Sequence, residues 1–430
     1  KILHVNDVLL ATGSYPDVFP YYANHPVVSV NGLDELKERV TKGTGQDFFV
    51  LVEEDEIAAL NGVAETSSLL VLGGKKSGKK IISQKSIDEK VSDLLSKMTL
   101  KEKIGQMNQY NGFWNVTGPV PEGGDSKVKY DHLANGWVGS MLNVRGVKEV
   151  KAVQKIAVEN SRLGIPLIIG FDLIHGYKTV FPIPLAESAS WDLEAIQLSA
   201  ELSAKEAAAA GINWTFAPMI DITRDARWGR VMEGAGEDPY LGSLIAAARV
   251  RGFQGEDLAS PFTIAATAKH FAAYGFAEAG KDYNTVDIGL NTLHNIVLPP
   301  FKAAVDAGIK TFMNSFNDLN GIPATADTFL QRELLKGEWN FDGFVVSDWG
   351  SIREMIDHGY AKDNNHAGEL ALLGGSDMDM EFWYCISAAA ADARISTCDV
   401  LTCPMTKNWR ELIQRFGGKI FEIEFTTSAL

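Results

Sequence analysis

The 430-residue chain has little cysteine: Cys385, Cys398 and Cys403 are its only three, all near the C-terminal end of the sequence. Their spacing matches no zinc pattern and an odd number cannot all pair, so neither a structural metal nor a disulfide framework is expected. No run of about 18 apolar residues occurs, so no membrane-spanning helix is expected. Basic residues are outnumbered, 40 Lys and Arg against 55 Asp and Glu, for a net charge of −15. That balance argues against nucleic acid or an anionic membrane surface as partner. The Gly-x-Gly-x-x-Gly fingerprint is missing after the early strands, and no cofactor is expected. Residue 1 is Lys and no basic-plus-apolar leader follows, so the chain reads as a processed or excised one without its own signal peptide.

What remains is ordinary globular composition, 46% hydrophobic and 22% charged, enough for one large α/β domain and something smaller. Residues 1–85 differ from the rest. Phe48-Phe49-Val50-Leu51-Val52 and Leu69-Leu70-Val71-Leu72 predict strands, and residues 34–41 a helix after Asn31-Gly32. The run 73–80, Gly-Gly-Lys-Lys-Ser-Gly-Lys-Lys, reads as a flexible basic linker, since it lacks the glycine spacing of a phosphate-binding loop.

From Ser86 the punctuation becomes regular. Ser86-x-x-Glu89 and Thr99-x-x-Glu102 are capping boxes. Apolar strands are then predicted at 138–144, 167–171, 213–218, 264–271, 310–316, 344–348 and 377–380. Asp192 and Asp238-Pro239 open intervening helices, and Gly308, Gly337 and Gly359 close three more. Seven β-then-α units imply a parallel sheet, most economically a (β/α)8-like TIM barrel over 86–381, with a doubly wound sheet as the competing topology. Residues 382–430 offer no clear eighth strand, so the barrel is expected to close imperfectly or through residues the pattern does not reveal.

The ends of these strands are consistently polar. Asp172 follows Leu167-Ile168-Ile169-Gly170-Phe171, with His175 just after. Phe216-Ala217-Pro218 leads into Asp221, Arg224, Asp225, Arg227, Trp228 and Arg230. Lys269 and His270 end the next strand, Asn314 and Asn317 follow another, and Phe344-Val345-Val346-Ser347 delivers Asp348 beside Trp349. A carboxylate at the C-terminal end of a buried parallel strand lies where α/β barrels keep their chemistry. Taken singly, each of these residues is as well explained by a helix cap or an ion pair. As a set on one rim they predict a site for a neutral polyhydroxylated ligand, with carboxylates and amines on hydroxyls and Trp faces on C–H surfaces. A metal-dependent hydrolase using His175, His270, Asp172 and Asp348 is disfavoured, because His-x-His is absent and Lys269 does not suit a ligand shell.

Six ordered motifs carry a family resemblance: the run Leu94 to Met107, Asp172-x-x-His175-Gly176, Arg227-Trp228-Gly229-Arg230, Gly236-Glu237-Asp238-Pro239, Lys269-His270-Phe271 and Val346-Ser347-Asp348-Trp349-Gly350. Residues 86–381 resemble the first domain of family 3 glycoside hydrolases, near the bacterial β-glucosidases. The resemblance implies a retaining, exo-acting β-glucosidase that forms a covalent glycosyl-aspartate. Asp348 would be the nucleophile, and Asp172, Arg230, Lys269, His270 and Trp349 would surround the terminal sugar. It also implies β-glucosides or cello-oligosaccharides as substrates and a periplasmic or secreted location. Nearby Arg230 and Lys269 are expected to favour ionised Asp348. Because neighbours in a strand point to opposite faces, Lys269 and His270 can share the site only if the backbone there is irregular, as it is in the family.

Two departures qualify this. Phe316 stands where many relatives carry Tyr. Ala272-Ala273-Tyr274-Gly275 replaces the His-rich loop of the N-acetylglucosamine branch, which argues against that substrate. For the glucosidase branch the resemblance implies an acid/base Glu from a second domain. Only 49 residues follow Glu381, so that domain is expected to be absent and no general acid is nominated. The alternatives are a sugar-binding fragment without turnover, or a β-xylosidase.

Overall fold

A computed structural model of the chain describes residues 8–12, 27–30, 48–51, 69–71, 87–112 and 117–381. The chain divides into two compact units, Lys1–Asp93 and Leu94–Leu430.

The first unit carries four parallel strands, β1 (Val8–Thr12), β2 (Val27–Val30), β3 (Phe48–Leu51) and β4 (Leu69–Val71), in the order β2-β1-β3-β4. The register pairs Leu9 with Val27, Val8 with Phe48 and Phe48 with Leu69. The two strands expected here are present, and Val8–Thr12 and Val27–Val30 join them. The helix expected at 34–41, the linker 73–80 and the side chains of the first capping box lie outside the described residues.

In the second unit, strands alternate with helices. Five strands form one parallel sheet: β5 (Asn108–Asn111), β6 (Ser140–Leu142), β7 (Ile168–Phe171), β8 (Trp214–Thr215) and, paired to β5 from the far end of the unit, a last strand at Asp379–Met380. Three more, β9 (Thr267–Phe271), β10 (Thr311–Asn314) and a strand at Phe344–Val346, form a second parallel sheet. A short antiparallel pair, β11 (Asp318–Leu319) and β12 (Ile322–Pro323), follows β10, so the Phe344–Val346 strand is β13 and the last is β14. Parallel bridges join the sheets at both junctions, Trp214 to Ala265 and Val346 to Met378. At those junctions Thr215 N–H donates to the Ala265 carbonyl at 2.8 Å and Ser347 N–H to that of Met378 at 2.8 Å. The unit is a TIM-barrel-like α/β fold.

Local signals place most helices. Glu102 N–H donates to Thr99 Oγ1 at 3.3 Å and Thr99 N–H to Glu102 Oε2 at 2.7 Å, closing the second capping box. Asp192 and Asp238 cap as expected, accepting from the N–H groups of Ala195 (3.0 Å) and Leu241 (2.7 Å). Gly308 and Gly359 sit at positive φ just beyond helices Pro299–Asp306 and Ser351–Asp357. Gly337 does not close its helix, which continues to Glu338.

The strands' inward side chains pack as one cluster that includes Leu142, Ile168, Trp214, Phe216, Met313, Phe344, Val346 and Met380. Gly170 is required within it, because a Cβ there would lie 2.6 Å from Phe216 Cζ. Trp214 Nε1–H donates to Thr267 and Thr311 Oγ1 at 2.8 and 2.9 Å, which satisfies the indole within the core.

Candidate active site

Asp348 follows β13 directly. It does not act as a side-chain cap: its Oδ1 accepts from Trp349 N–H at 2.6 Å, and helix Ser351–Asp357 begins after Gly350 with no side-chain cap. Its Oδ2 is buried without a hydrogen-bond partner among the described residues. His270 Nε2 faces it from 3.4 Å away.

Lys269 and His270 lie in β9 just before its last residue, Phe271, and the peptide bond between them is cis, as is Phe271–Ala272. The irregular backbone expected at this point is therefore present. The two neighbouring side chains reach different carboxylates. Lys269 Nζ donates to Asp172 Oδ1 at 2.8 Å, just past the end of β7. His270 is fully buried and turns Nδ1 onto Asp221 Oδ2 at 2.8 Å. The same Asp221 oxygen accepts the His270 backbone N–H at 2.9 Å.

Arg230 is gripped by Glu233 in a fork, Nε to Oε1 at 2.8 Å and Nη2 to Oε2 at 3.0 Å, and lies over the Tyr274 ring. Tyr274 packs edge-on against Trp228 and His270, at 5.1 and 5.2 Å between centroids. Trp228 Nε1–H donates to Asp282 Oδ1 at 2.7 Å. Met219, Trp228, Tyr274 and Phe316 form a small apolar cluster of their own. Phe316 also meets the Tyr283 ring at 4.4 Å. Trp349 leaves its ring partly exposed.

Burial dominates the electrostatics. Asp348 is pushed up to about 6 by desolvation, although Lys269 and Arg230 pull the other way. Both cations act in the expected direction, toward the ionised form, and loss of water outweighs them. Asp221 is raised to about 7 by burial, against its bond from the His270 N–H. His270 is held well below its usual range by burial, then by Arg230 and Lys269, so its imidazole is neutral. Glu354, on the helix after Asp348, is raised to about 7, by burial first and by Asp348 second.

The structure thus brings Asp172, Lys269, His270 and Asp348 together through direct contacts, with Arg230 close enough for the Asp348 charge to act on it. Other rim candidates turn elsewhere. Asn314 donates to Ser376 Oγ at 2.8 Å inside the core and Asn317 to the Asp318 carbonyl at 3.1 Å. His175 Nδ1 faces the Phe181 carbonyl at 3.0 Å. Glu233 follows the same strand end as Arg230 in the sequence, whereas Tyr283 and Glu354 carried no signal there. Asp221 did: a carboxylate between Ile220 and Ile222 just beyond a strand has to find a buried partner.

The sequence profile of the glycosyl hydrolase family 3 N-terminal domain matches residues 99–406. The chain belongs to glycosyl hydrolase family 3. It is 42% identical over 293 residues to a periplasmic beta-glucosidase of Salmonella typhimurium, covering 68% of this chain and 37% of that protein. It is 34% identical over 303 residues to a beta-xylosidase of Formosa agariphila, covering 69% of this chain and 37% of that protein. The crystal structure of a beta-glucosidase from Listeria innocua in complex with isofagomine superposes with a TM-score of 0.71 at 40% identity, over 79% of this chain and 48% of that one. Another structure from that organism holds laminaribiose, with a TM-score of 0.72. The family 3 chain described here spans about two fifths of the length of the curated relatives it matches.

Proposed function

We propose that this chain carries the nucleophile and sugar-binding residues of a retaining, exo-acting β-glucosidase that works outside the cytoplasm on β-glucosides or cello-oligosaccharides. The observation that carries the reading is the unpartnered Asp348 Oδ2 beside His270, Lys269 and Asp172. Asp348 Oδ2 attacks the anomeric carbon. Asp172 and Lys269, already paired, exchange some of that contact for sugar hydroxyls, and Arg230 and His270 line the remainder. Trp349 offers its ring to the sugar's C–H face. In support, a relative at 42% identity is a periplasmic beta-glucosidase. We read residues 86–381 as one domain, with its eight parallel strands ringed through the Trp214–Ala265 and Val346–Met378 bridges. The proton donor is assigned to no residue of this domain.

An activated 2-deoxy-2-fluoro-β-glucoside, which needs no proton donor for its leaving group, tests the reading by intact mass and peptide mapping. One glucosyl adduct on Asp348, lost in Asp348→Asn, is expected. An adduct on another carboxylate would remove Asp348 from the role. The beta-xylosidase relatives keep a β-xylosyl substrate as a second reading, and faster labelling by the matching fluoroxyloside would favour it.

A further inference from the structure

Asp221 is buried, was assigned no function above, and is hydrogen-bonded to His270. Its geometry fixes more than the position of the ring. The His270 backbone N–H is a donor and nothing else, so Asp221 Oδ2, 2.9 Å away, is its acceptor. His270 Nδ1 lies 2.8 Å from the same oxygen. When Asp221 is ionised this oxygen can only accept, so it receives the Nδ1 proton too, and Nδ1–H is the tautomer that satisfies both bonds. The opposite nitrogen, Nε2, is then a bare lone pair, and it is the atom that faces Asp348 Oδ2 at 3.4 Å. Both Nε2 and Oδ2 are buried and neither has a hydrogen-bond partner among the described residues, as expected of two acceptors.

We propose that Asp221 is a positioning residue that locks His270 in the Nδ1–H tautomer, so that no donor satisfies Asp348 Oδ2 and this oxygen is kept as the attacking atom. The inference rests on the nucleophilic role proposed for Asp348. The two carboxylate oxygens are treated differently by the fold. Oδ1 is tied to Trp349 N–H, whereas Oδ2 meets a lone pair. An Nε2–H tautomer would donate to Oδ2 and hold electron density that must pass to the anomeric carbon. In the labelling step the Oδ2–C1 bond forms as the bond from C1 to dinitrophenolate oxygen breaks. The departing phenolate keeps that bond's electron pair, and no proton moves. His270 Nε2 stays free throughout to accept from a sugar hydroxyl.

Two variants separate this from a merely structural role. In Asp221→Asn the amide oxygen must occupy the shared position, because an NH2 there would confront the His270 backbone N–H. The tautomer is therefore retained. Asp221→Leu removes the acceptor and leaves the tautomer free to change. Nitrogen-15 NMR of the ring in the full chain is expected to show a pyridine-type Nε2 in the parent and in Asp221→Asn, with labelling by 2,4-dinitrophenyl 2-deoxy-2-fluoro-β-glucoside within about threefold of the parent. Asp221→Leu is expected to gain Nε2–H character and to label at least tenfold more slowly. An Nε2–H ring in the parent overturns the proposal without any variant, as does parental labelling speed in Asp221→Leu. If the parent takes no label while its Nε2 is bare, the nucleophile assignment fails and the tautomer lock stands.

Discussion

Lys269 and His270 are adjacent in one strand, and each holds an aspartate, yet the two pairs are built for opposite ends. Asp172 is 48% exposed where it meets Lys269, which is itself 6% exposed. Asp221 is 1% exposed and His270 is sealed completely. Water can replace the lysine at Asp172, so that carboxylate can trade partners with a sugar hydroxyl at small cost. Nothing can replace His270 at Asp221, where an unpaired buried polar group would bear its full desolvation penalty. One aspartate is available to a ligand, and the other belongs to the scaffold that aims the site.

The contrast can be broken at its buried end first. Asp221→Leu leaves the His270 backbone N–H without an acceptor, at roughly 1–3 kcal/mol, and removes the partner of ring Nδ1. Calorimetric unfolding should show a loss of several degrees, whereas Asp172→Asn, whose amide oxygen still accepts from the buried Lys269, should lose less. Equal losses would erase the distinction.

A pH series sharpens it. Asp221 is raised from 3.8 to about 7 in the folded chain, so between those values the folded state holds a proton that the unfolded state has released. Unfolding then loses a proton, and this group's contribution to stability falls as pH rises through that window, by up to about 1.4 kcal/mol per pH unit. Asp221→Asn removes the titration while keeping the acceptor. Its melting temperature should therefore gain on the parent's steadily from pH 5 to pH 7, and parallel curves would contradict the assignment.

The exposed end gives the smallest structural and the clearest binding effect. Asp172→Asn should fold like the parent and bind glucose about 10–100-fold more weakly, matching the loss of about 1.5–3 kcal/mol from charged hydrogen bonds. Isothermal titration against the parent checks it, and unchanged affinity would move Asp172 out of the sugar site.

How much of this was legible depended on whether a residue's neighbours were written in the pattern. Seven strands announced themselves as apolar runs, and the carboxylates and amines at their ends could be read as one rim. β5 could not, because Asn108-Gln109-Tyr110-Asn111 is polar where the rule looks for apolar residues. Two of its polar groups find partners that lie distant in sequence: Gln109 Nε2 donates to Ser140 Oγ at 2.7 Å, and Asn111 Oδ1 accepts from Asn143 Nδ2 at 2.9 Å. The missing strand was sought after Glu381 and stands before residue 112. At the site, the motif order pointed to Asp348 and its companions, whereas the balance between burial and charge at Asp348 depends on packing that no spacing encodes.

That strand also sets a condition on how the unit is made. β5 pairs with β14, Asn108 beside Asp379 and Gln109 beside Met380, and Asn111 N–H donates to Glu381 Oε2 at 2.6 Å across 270 positions of sequence. A seam of such separation carries the largest loop-closure entropy in the unit, and contacts of this kind form slowly. During synthesis β5 emerges with one flank unpaired and keeps it so until some 270 more residues have followed, a wait of about 14–54 s at 5–20 residues per second. A strand built of Asn, Gln and Tyr is a safer edge to leave open for that interval than a run of Val and Ile, which would recruit another chain. The polarity that hid β5 from the pattern protects it while it waits for its partner.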